Sequence, residues 1–231
     1  MAHWYTKDLE CKDITLVHAR GMDVVPSVTT IEGLFANEGL TIWKLQTPDW
    51  KEQSEDAANF GTEVHAAISN YLQEKEKKVS DKAKPLVDAA KTFIHENKLD
   101  GEAEKKFVTK KYGGSIDFVG NSDWGPILLD WKTQKTKENK APRYYDSWKR
   151  QLAAYSAGIK GDYKVLNVVL STTEPGRIDY KFYDSRQVNN ALNEFKAMLF
   201  LFYQIKKLRV KENEKDFTTI FNKLTKWSGM K

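Results

Sequence analysis

Apolar residues recur at helical spacing in several stretches of the chain. Between about 56 and 75, Phe60, Val64, Ile68 and Leu72 lie one turn apart and form a single stripe, which predicts an amphipathic helix. Similar patterns predict helices over 81–97, 144–159 and 187–211. Shorter helices are predicted over 40–45, over 216–224 and from Ser27, a residue type that suits the N-cap.

Short apolar or alternating runs, separated by turn-forming residues, predict five strands. They fall at 104–111, 115–120, 127–132, 163–171 and 177–183. The first 25 residues have no clear period and predict a short hairpin or an irregular arm. The order of helix, three strands, helix, two strands and helices is typical of an α/β domain with a mixed central sheet.

The length of 231 residues favours one domain with a substantial core. We expect an N-terminal arm with short helices over 1–55, the core over 56–184 and C-terminal helices over 185–231. No apolar run approaches the length of a membrane span, and the first residues lack a basic-then-apolar signal. We therefore expect a protein of the cytoplasm or another reducing compartment, with no membrane partner.

Two aspartates and a lysine fall on the hairpin predicted from the second and third strands. If its turn is symmetric, Gly120 faces Ile127 and Asp117 faces Asp130. Opposed residues have Cβ atoms about 5 Å apart, and like charges at that distance repel each other. Lys132 shares the face of Asp130 because side chains alternate along a strand. The pattern indicates a cation site, and an exposed Asp–Lys pair of little consequence is the alternative.

A divalent metal is the cation that best suits these residues. The carboxylates of Asp117 and Asp130 would be ligands. The backbone carbonyl of Trp131 is a possible third ligand, because it lies between the side chains of Asp130 and Lys132. Lys132 would orient the attacking water or stabilise charge on a phosphate. Cys11 is the only cysteine, so we expect neither a cysteine-based zinc site nor an iron–sulfur cluster. Oxygen and imidazole ligands remain, and they suit Mg²⁺ and Mn²⁺.

The basic residues are concentrated beside this predicted site. From 132 to 150 there are seven basic and two acidic residues, a surplus equal to the net charge of +5 of the whole chain. From 206 to 231 there are eight basic and three acidic residues. Such segments are typical of nucleic-acid binding, and solvated charged surfaces are the alternative. The segment beside the site contributes these candidates for DNA contact: Lys135, Lys137, Arg143, Tyr144, Tyr145, Lys149 and Arg150.

Three helical residues are ambiguous by position alone. His65 borders the apolar stripe of its helix, where a lone histidine is usually a boundary residue. Gly61, one turn earlier, removes bulk and permits close approach of a sheet or substrate. Gln151 and Tyr155 share one helix face, and their spacing favours mutual hydrogen bonding over phosphate binding. Trp131 points away from the carboxylates by strand alternation and is predicted to be core.

Five sequence pieces occur in a fixed order along the chain. They are PSVTTI at 26–31, GTEVH at 61–65, GSID at 114–117, DWKT at 130–133 and QLAAY at 151–155. Together they resemble the PD-(D/E)xK nuclease superfamily and its RecB-like exonuclease branch. The DWKT piece is most similar to the mitochondrial genome maintenance exonucleases and their phage-encoded relatives.

This resemblance implies a restriction-endonuclease-like core with an N-terminal helical elaboration. It also implies a site for Mg²⁺ or Mn²⁺, with two metals, formed by His65, Asp117, Asp130 and the Trp131 carbonyl, with Lys132 catalytic. Many members place a further glutamate on the preceding strand, for which Glu104 is our choice and Glu102 the fallback. Residues expected to contact DNA from the matched pieces are Ser27, Thr29, Gln151 and Tyr155.

The implied activity is a metal-dependent DNA exonuclease that favours single strands or ends, in recombination, repair or phage DNA processing. A structure-specific endonuclease with the same site is the first alternative, and a non-catalytic nucleic-acid-binding module is the second. DNA is the expected partner, together with recombination or replication proteins. The expected location is the cytosol of a bacterium or of a phage-infected host, rather than the mitochondrial matrix.

Overall fold

The chain folds as an α/β protein with a five-stranded mixed sheet flanked by helices and a smaller three-stranded sheet formed by its first residues. The structure is a computed structural model and describes residues 2–35, 38–75 and 78–208. The helix predicted at 216–224, the end of the helix predicted over 187–211 and most of the basic tail lie outside the described residues.

The central sheet contains its strands in chain order. They are β4 (Asp100–Val108), β5 (Gly113–Asn121), β6 (Ile127–Gln134), β7 (Lys164–Ser171) and β8 (Ile178–Tyr183). Strands β6 and β7 run parallel, and the other neighbours run antiparallel. A parallel pair requires a crossover, which α6 (Asp146–Gly158) supplies. The predicted α/β class with a mixed central sheet is therefore confirmed.

Helices cover both faces of this sheet. Helices α4 (Trp50–Leu72) and α5 (Lys84–Glu96) pack on one face, while α6 and α7 (Ser185–Lys206) pack on the other. Successive residues of one strand serve opposite cores, because Leu128 packs with α6 and α7 while Leu129 packs with α4 and α5. The central strands are consequently apolar on both faces, as their sequences predict.

Residues 2–26 contain a three-stranded sheet of order β2-β1-β3. Its elements are β1 (Ala2–Thr6), β2 (Cys11–Ile14), α1 (Leu16–Arg20) and β3 (Val24–Pro26). The predicted hairpin is present as β1 and β2, whereas α1 and β3 are too short to show a period in the sequence. Trp4 is buried and packs against Phe202 of α7, with ring centroids 6.2 Å apart, so this sheet shares the core of the domain.

Two short helices follow this sheet and precede α4. The first, α2 (Val28–Glu32), has Ser27 as its N-cap, and the Ser27 hydroxyl accepts a hydrogen bond from the Thr30 amide as predicted. The second is α3 (Glu38–Gln46). Helix α4 begins at Trp50 rather than near 56. The sequence does not reveal this earlier start, because residues 51–56 are polar or charged and do not extend the apolar stripe. The predicted boundary at residue 55 therefore falls inside a helix.

In the described part of the chain, no helix is both long and apolar enough to cross a membrane.

Arg150 of α6 connects three helices through its guanidinium. It donates to Glu32 of α2 from Nε and Nη2, at 3.1 and 2.9 Å, and to Glu194 of α7 from Nη1 at 3.2 Å. Only 20% of the Arg150 side chain and 11% of the Glu32 side chain are exposed. Burial raises the pKa of Glu32, and the charge and hydrogen bonds of Arg150 oppose this. The arginine therefore compensates a buried carboxylate.

Replacing Arg150 with alanine should lower the free energy of unfolding by about 2–4 kcal/mol, because it leaves Glu32 buried without its counter-charge. Urea unfolding followed by circular dichroism measures this loss. The neighbouring Lys149→Ala variant is the control, since Lys149 pairs with the exposed Asp146 and such pairs contribute about 1 kcal/mol or less. Equal stability of the two variants would contradict the assignment.

Candidate metal centre

The hairpin of β5 and β6 has the register that the sequence predicts. Gly120 lies opposite Ile127, and the ladder continues to the pair formed by Phe118 and Leu129. It stops there, one residue short of the two aspartates. On its other edge, β6 pairs with β7 along its whole length. The gap therefore opens only between β5 and β6. The candidate site lies at this gap.

Asp117 fills the gap with its carboxylate. Its Oδ2 accepts a hydrogen bond from the backbone N–H of Trp131 at 2.8 Å, in place of a bond between the two strands. The direct pairing of Asp117 with Asp130 expected from the extended register is thus absent from the ladder. The two carboxylates remain near enough for the charge of Asp117 to raise the pKa of Asp130. The Trp131 ring is buried in the opposite core, as predicted.

His65 reaches the same carboxylate from α4. Its Nδ1 lies 3.3 Å from Oδ2 of Asp117, and 28% of its side chain is exposed. Gly61, one turn earlier, lets the helix approach the end of β6, because a Cβ added there would lie 3.3 Å from Oγ1 of Thr133. The structure therefore brings the helical histidine and the strand aspartate together.

Lys132 lies between the second aspartate and α6. Its Nζ is 2.8 Å from Oδ2 of Asp130 and donates to Oε1 of Gln151 at 3.1 Å. The side-chain amide of Gln151 in turn donates to the hydroxyl of Tyr155 at 2.8 Å. The same ammonium lies 5.6 Å from the ring centroid of Trp148. Gln151 and Tyr155 thus satisfy each other, as their spacing predicts, and also position the lysine.

Asn167 of β7 is a site residue that sequence reasoning missed. It lies opposite Asp130 in the parallel ladder, and its Nδ2 donates to Oδ2 of that aspartate at 2.8 Å. The hydroxyl of Tyr183 donates to Oδ1 of Asn167 at 2.9 Å. All three side chains are buried. The available signal was a single polar residue in the otherwise apolar run 165–170.

Glu104 lies opposite Asp117 on the other neighbouring strand. The flanking pairs of the β4–β5 ladder, Ala103 with Phe118 and Lys105 with Ile116, set Glu104 opposite Asp117. Glu104 has a positive φ of 53°, which few residues other than glycine adopt. Its carboxylate accepts a hydrogen bond from the Ser115 hydroxyl at 2.8 Å. Glu102, the fallback, instead pairs with Lys105 and lines a different cleft. The structure therefore favours Glu104 of the two.

The charges of the site shift the pKa values of its acids in opposite directions. Burial alone would raise the pKa of Asp117, but the positive charges of His65 and Lys132 hold it below its usual range. Burial raises the pKa of Asp130 to about 6, although Lys132 opposes the shift. Burial lowers the pKa of His65, but the interaction with Asp117 outweighs this and the net shift is upward. Desolvation raises the pKa of Glu104. Burial therefore disfavours the charged forms of Asp130 and Glu104 and raises their pKa values, whereas the partners of Asp117 keep its pKa low.

The donor set fits a hard divalent cation. The carboxylates of Asp117, Asp130 and Glu104 and the imidazole of His65 lie within electrostatic range of their neighbours, and a divalent ion would offset the carboxylate charge. Carboxylate oxygens suit Mg²⁺ and Mn²⁺, and the imidazole of His65 favours Mn²⁺ of the two. His65, Glu104 and Lys132 line an open cleft of about 670 Å³. Ligation by the Trp131 carbonyl and the presence of a second metal stay predictions.

Hydrogen bonds to the backbone hold the loop between β6 and α6 in place, while the side chains of its lysines are exposed to solvent. Arg177 donates to the carbonyls of Lys137 and Lys140 at 3.2 and 2.6 Å. Gln134 accepts from the N–H of Arg143 and donates to its carbonyl, at 3.1 and 3.0 Å. The partners Gln134 and Arg177 have no local signal in the sequence. The basic segment is therefore an ordered surface beside the cleft.

Aromatic side chains continue this surface toward Lys132. The rings of Tyr144 and Tyr145 pack against Trp148, with centroid separations of 6.4 and 4.9 Å. The guanidinium of Arg143 lies 5.0 Å from the Tyr145 ring. Because Trp148 also lies beside the Lys132 ammonium, the aromatic cluster is continuous with the candidate site.

Other residues predicted to contact DNA are engaged within the fold. Ser27 and Tyr155 are each only 4% exposed, the first as a helix cap and the second as the support of Gln151. Arg150 is held by two glutamates, and Lys149 pairs with a carboxylate of its own helix. For Ser27, Tyr155 and Arg150 the structure supports an architectural role instead. The predicted contact residues that are exposed are Thr29, Lys135, Lys137 and Arg143.

Comparisons with known proteins add little to this geometry. No family model and no curated protein matches the chain. Among solved structures, the chain is similar to the crystal structure of SSO0001, with 16% sequence identity and a TM-score of 0.29. The match covers 49% of this chain and 57% of that one, so the chain spans little more than half the length of that protein. At that TM-score the likeness carries no inference.

Replacing Asn167 with alanine should weaken Mn²⁺ binding about 10- to 100-fold, because the carboxylate of Asp130 loses the partner that orients it. Isothermal titration with Mn²⁺ measures the affinity. Stability should also fall by about 2–3 kcal/mol, since buried groups lose their partners. Tyr183→Phe, which removes only the hydroxyl, provides a milder variant that should shift the affinity in the same direction. Asn190→Ala, at an exposed position of α7, is the control. Unchanged Mn²⁺ affinity in both site variants would refute the positioning role.

Proposed function

We propose that the protein is a DNA exonuclease that depends on Mg²⁺ or Mn²⁺, with the restriction-endonuclease-like core of the PD-(D/E)xK superfamily and membership of its RecB-like branch. It hydrolyses phosphodiester bonds of single strands or DNA ends. Recombination, repair and phage DNA processing are the settings that suit this activity, and recombination or replication proteins are its proposed partners.

One observation carries the proposal. Residues from three separate sequence pieces, on α4, β5 and β6, meet at one gap in the sheet as His65, Asp117, Asp130 and Lys132. A structural ion pair would need only one acid and one base. The carboxylate of Asp130 is buried and its pKa is raised to about 6 although Lys132 opposes the shift, so a further cation beside it would be stabilising, which supports a metal-dependent reaction.

Lys132 has the geometry of the group that acts on the substrate. Its ammonium is held by Asp130 on one side and by Gln151 on the other, while 18% of its side chain stays exposed to the cleft. From there it can donate to a phosphate oxygen or orient a water molecule for attack. Preorganised donors of this kind stabilise charge that develops in the transition state. When bound, the metal supplies Lewis acidity and lowers the pKa of a coordinated water.

The basic loop and the aromatic cluster suit a DNA strand. Exposed Lys135 and Lys137 provide charge for the phosphates, and Tyr144 and Tyr145 provide ring faces for unpaired bases. Because the cluster adjoins Lys132 through Trp148, a strand held there would bring a phosphate to the site. Stacking requires unpaired bases, and this favours single strands or frayed ends.

The first alternative is a structure-specific endonuclease with the same residues. Covalently closed circular single-stranded DNA separates the two activities, because an exonuclease needs an end. The proposal expects the circle to survive in the presence of Mn²⁺ while a linear strand of the same sequence is degraded. Cleavage of both at similar rates would favour the endonuclease. The second alternative, a non-catalytic binding module, predicts retention of labelled linear DNA with either metal.

Lys132→Ala should reduce the cleavage rate by about 100-fold or more, because the donor that faces the phosphate is lost. Folding should persist, since Asp130 keeps the hydrogen bond from Asn167, and the affinity for single-stranded DNA should change little. Cleavage of an end-labelled oligonucleotide and its binding by fluorescence anisotropy measure the two effects. Lys98→Ala, which removes a lysine paired with Asp123 away from the cleft, is the matched control. Near-normal turnover by Lys132→Ala would exclude this lysine from catalysis.

Tyr145→Ala should lower the affinity for single-stranded DNA about fivefold or more, in line with the loss of one stacked base. Fluorescence anisotropy with a labelled oligonucleotide measures it, and a duplex of the same sequence should respond less. Tyr180→Ala, at a half-exposed tyrosine of β8, is the control. If both variants bind as the unchanged protein does, the aromatic cluster does not hold bases.

A further inference from the structure

Three side chains with different metal-binding chemistry share one face of the first hairpin. His3 of β1 lies directly opposite Asp13 of β2. Cys11 precedes Asp13 by two residues and therefore points to the same face of the sheet. The three residues are exposed and form no part of the site described above. Imidazole, thiol and carboxylate groups thus meet at a single point of the surface.

Their donor atoms are already at ligand spacing. Nδ1 of His3 contacts Oδ1 of Asp13 and lies 3.9 Å from Sγ of Cys11. All three donor atoms lie within 4.8 Å of one another. Tetrahedral zinc, with Zn–N about 2.0 Å and Zn–S about 2.3 Å, places a nitrogen and a sulfur ligand about 3.6 Å apart. The nitrogen and sulfur therefore need to approach by only a few tenths of an ångström, whereas Nδ1 of His3 and Oδ1 of Asp13, now in direct contact, must separate by about 1 Å to admit the ion.

We propose that His3, Cys11 and Asp13 bind a divalent transition-metal ion, with Zn²⁺ as the best match. Thiolate and imidazole ligands suit this class, whereas Mg²⁺ and Ca²⁺ require oxygen ligands. Exposure of the three side chains leaves the fourth tetrahedral position to water. A mixed set of this kind needs only one thiolate, so the single cysteine, Cys11, is compatible with it.

The hairpin holds one side of this site in place before any ion binds. The N–H of His3 donates to the Thr30 hydroxyl at 3.1 Å, and its carbonyl accepts from the N–H of Ser27 at 2.9 Å. In contrast, β2 is the outer strand of its sheet and hydrogen-bonds to β1 alone within that sheet. An ion that links His3 to Cys11 and Asp13 would fasten this outer strand to the anchored one. Binding should consequently raise the thermal stability of the protein.

Cobalt(II) absorption under reducing conditions tests the site directly. One equivalent of Co²⁺ should give a thiolate-to-metal charge-transfer band in the near ultraviolet, and added Zn²⁺ should remove it. Cys11→Ser should abolish the band, and His3→Ala should weaken binding more than about tenfold. His18→Ala is the matched control, because this exposed histidine lies on α1 and contacts Thr15. Cys11, His3 and His18 all have exposed side chains, so the three variants should stay folded.

A second pair of measurements separates this site from the carboxylate centre. Asp130→Asn should leave the charge-transfer band and its affinity unchanged, since that aspartate lies in the central sheet. Zn²⁺ should raise the melting temperature of the unchanged protein and of His18→Ala, but not that of His3→Ala. The proposal is overturned if the band is absent, if it survives Cys11→Ser, or if Asp130→Asn removes it.

Discussion

The hydrogen bond from the Trp131 amide to the carboxylate of Asp117 determines the arrangement of the candidate site. It places a charged oxygen where a backbone carbonyl of β5 would otherwise accept, and the ladder between β5 and β6 ends one residue earlier. A buried carboxylate is tolerated in a sheet only if its charge and hydrogen-bonding capacity are satisfied. The carboxylate of Asp117 is satisfied by the Trp131 amide on one side and by His65 on the other. The contact with His65 joins α4 to the sheet at this point.

The second aspartate is fixed by a separate set of partners. Asn167 holds Asp130 from β7, and Lys132 joins the same oxygen from its own strand. Both bonds fall on Oδ2, as both bonds of Asp117 do on its own Oδ2. Each carboxylate thus has one oxygen dedicated to the protein. A metal that binds between them would use rigid ligands, which lowers the cost of assembling the site.

Much of this arrangement follows from sequence pattern, and the remainder depends on tertiary contacts. The register of Gly120 with Ile127 follows from the turn between them, since a symmetric loop fixes hairpin pairing. By contrast, nothing local to Asn167 reveals that β7 will pair in parallel with β6, because that register depends on the packing of α6. The fastening of the basic loop by Arg177 has the same origin. The start of α4 at Trp50 has no counterpart in the apolar stripe, because residues 51–56 of its first turns are all polar or charged.

The central claim is that the gap between β5 and β6 binds a divalent metal that drives hydrolysis of DNA. Digestion of single-stranded and double-stranded oligonucleotides labelled at the 5′ or the 3′ end, with and without Mn²⁺, tests it most directly. The account predicts metal-dependent loss of the labelled single strand by stepwise shortening from one end, and no such loss with Asp117→Asn. Intact substrate under all metal conditions, or equal digestion by Asp117→Asn, would contradict it.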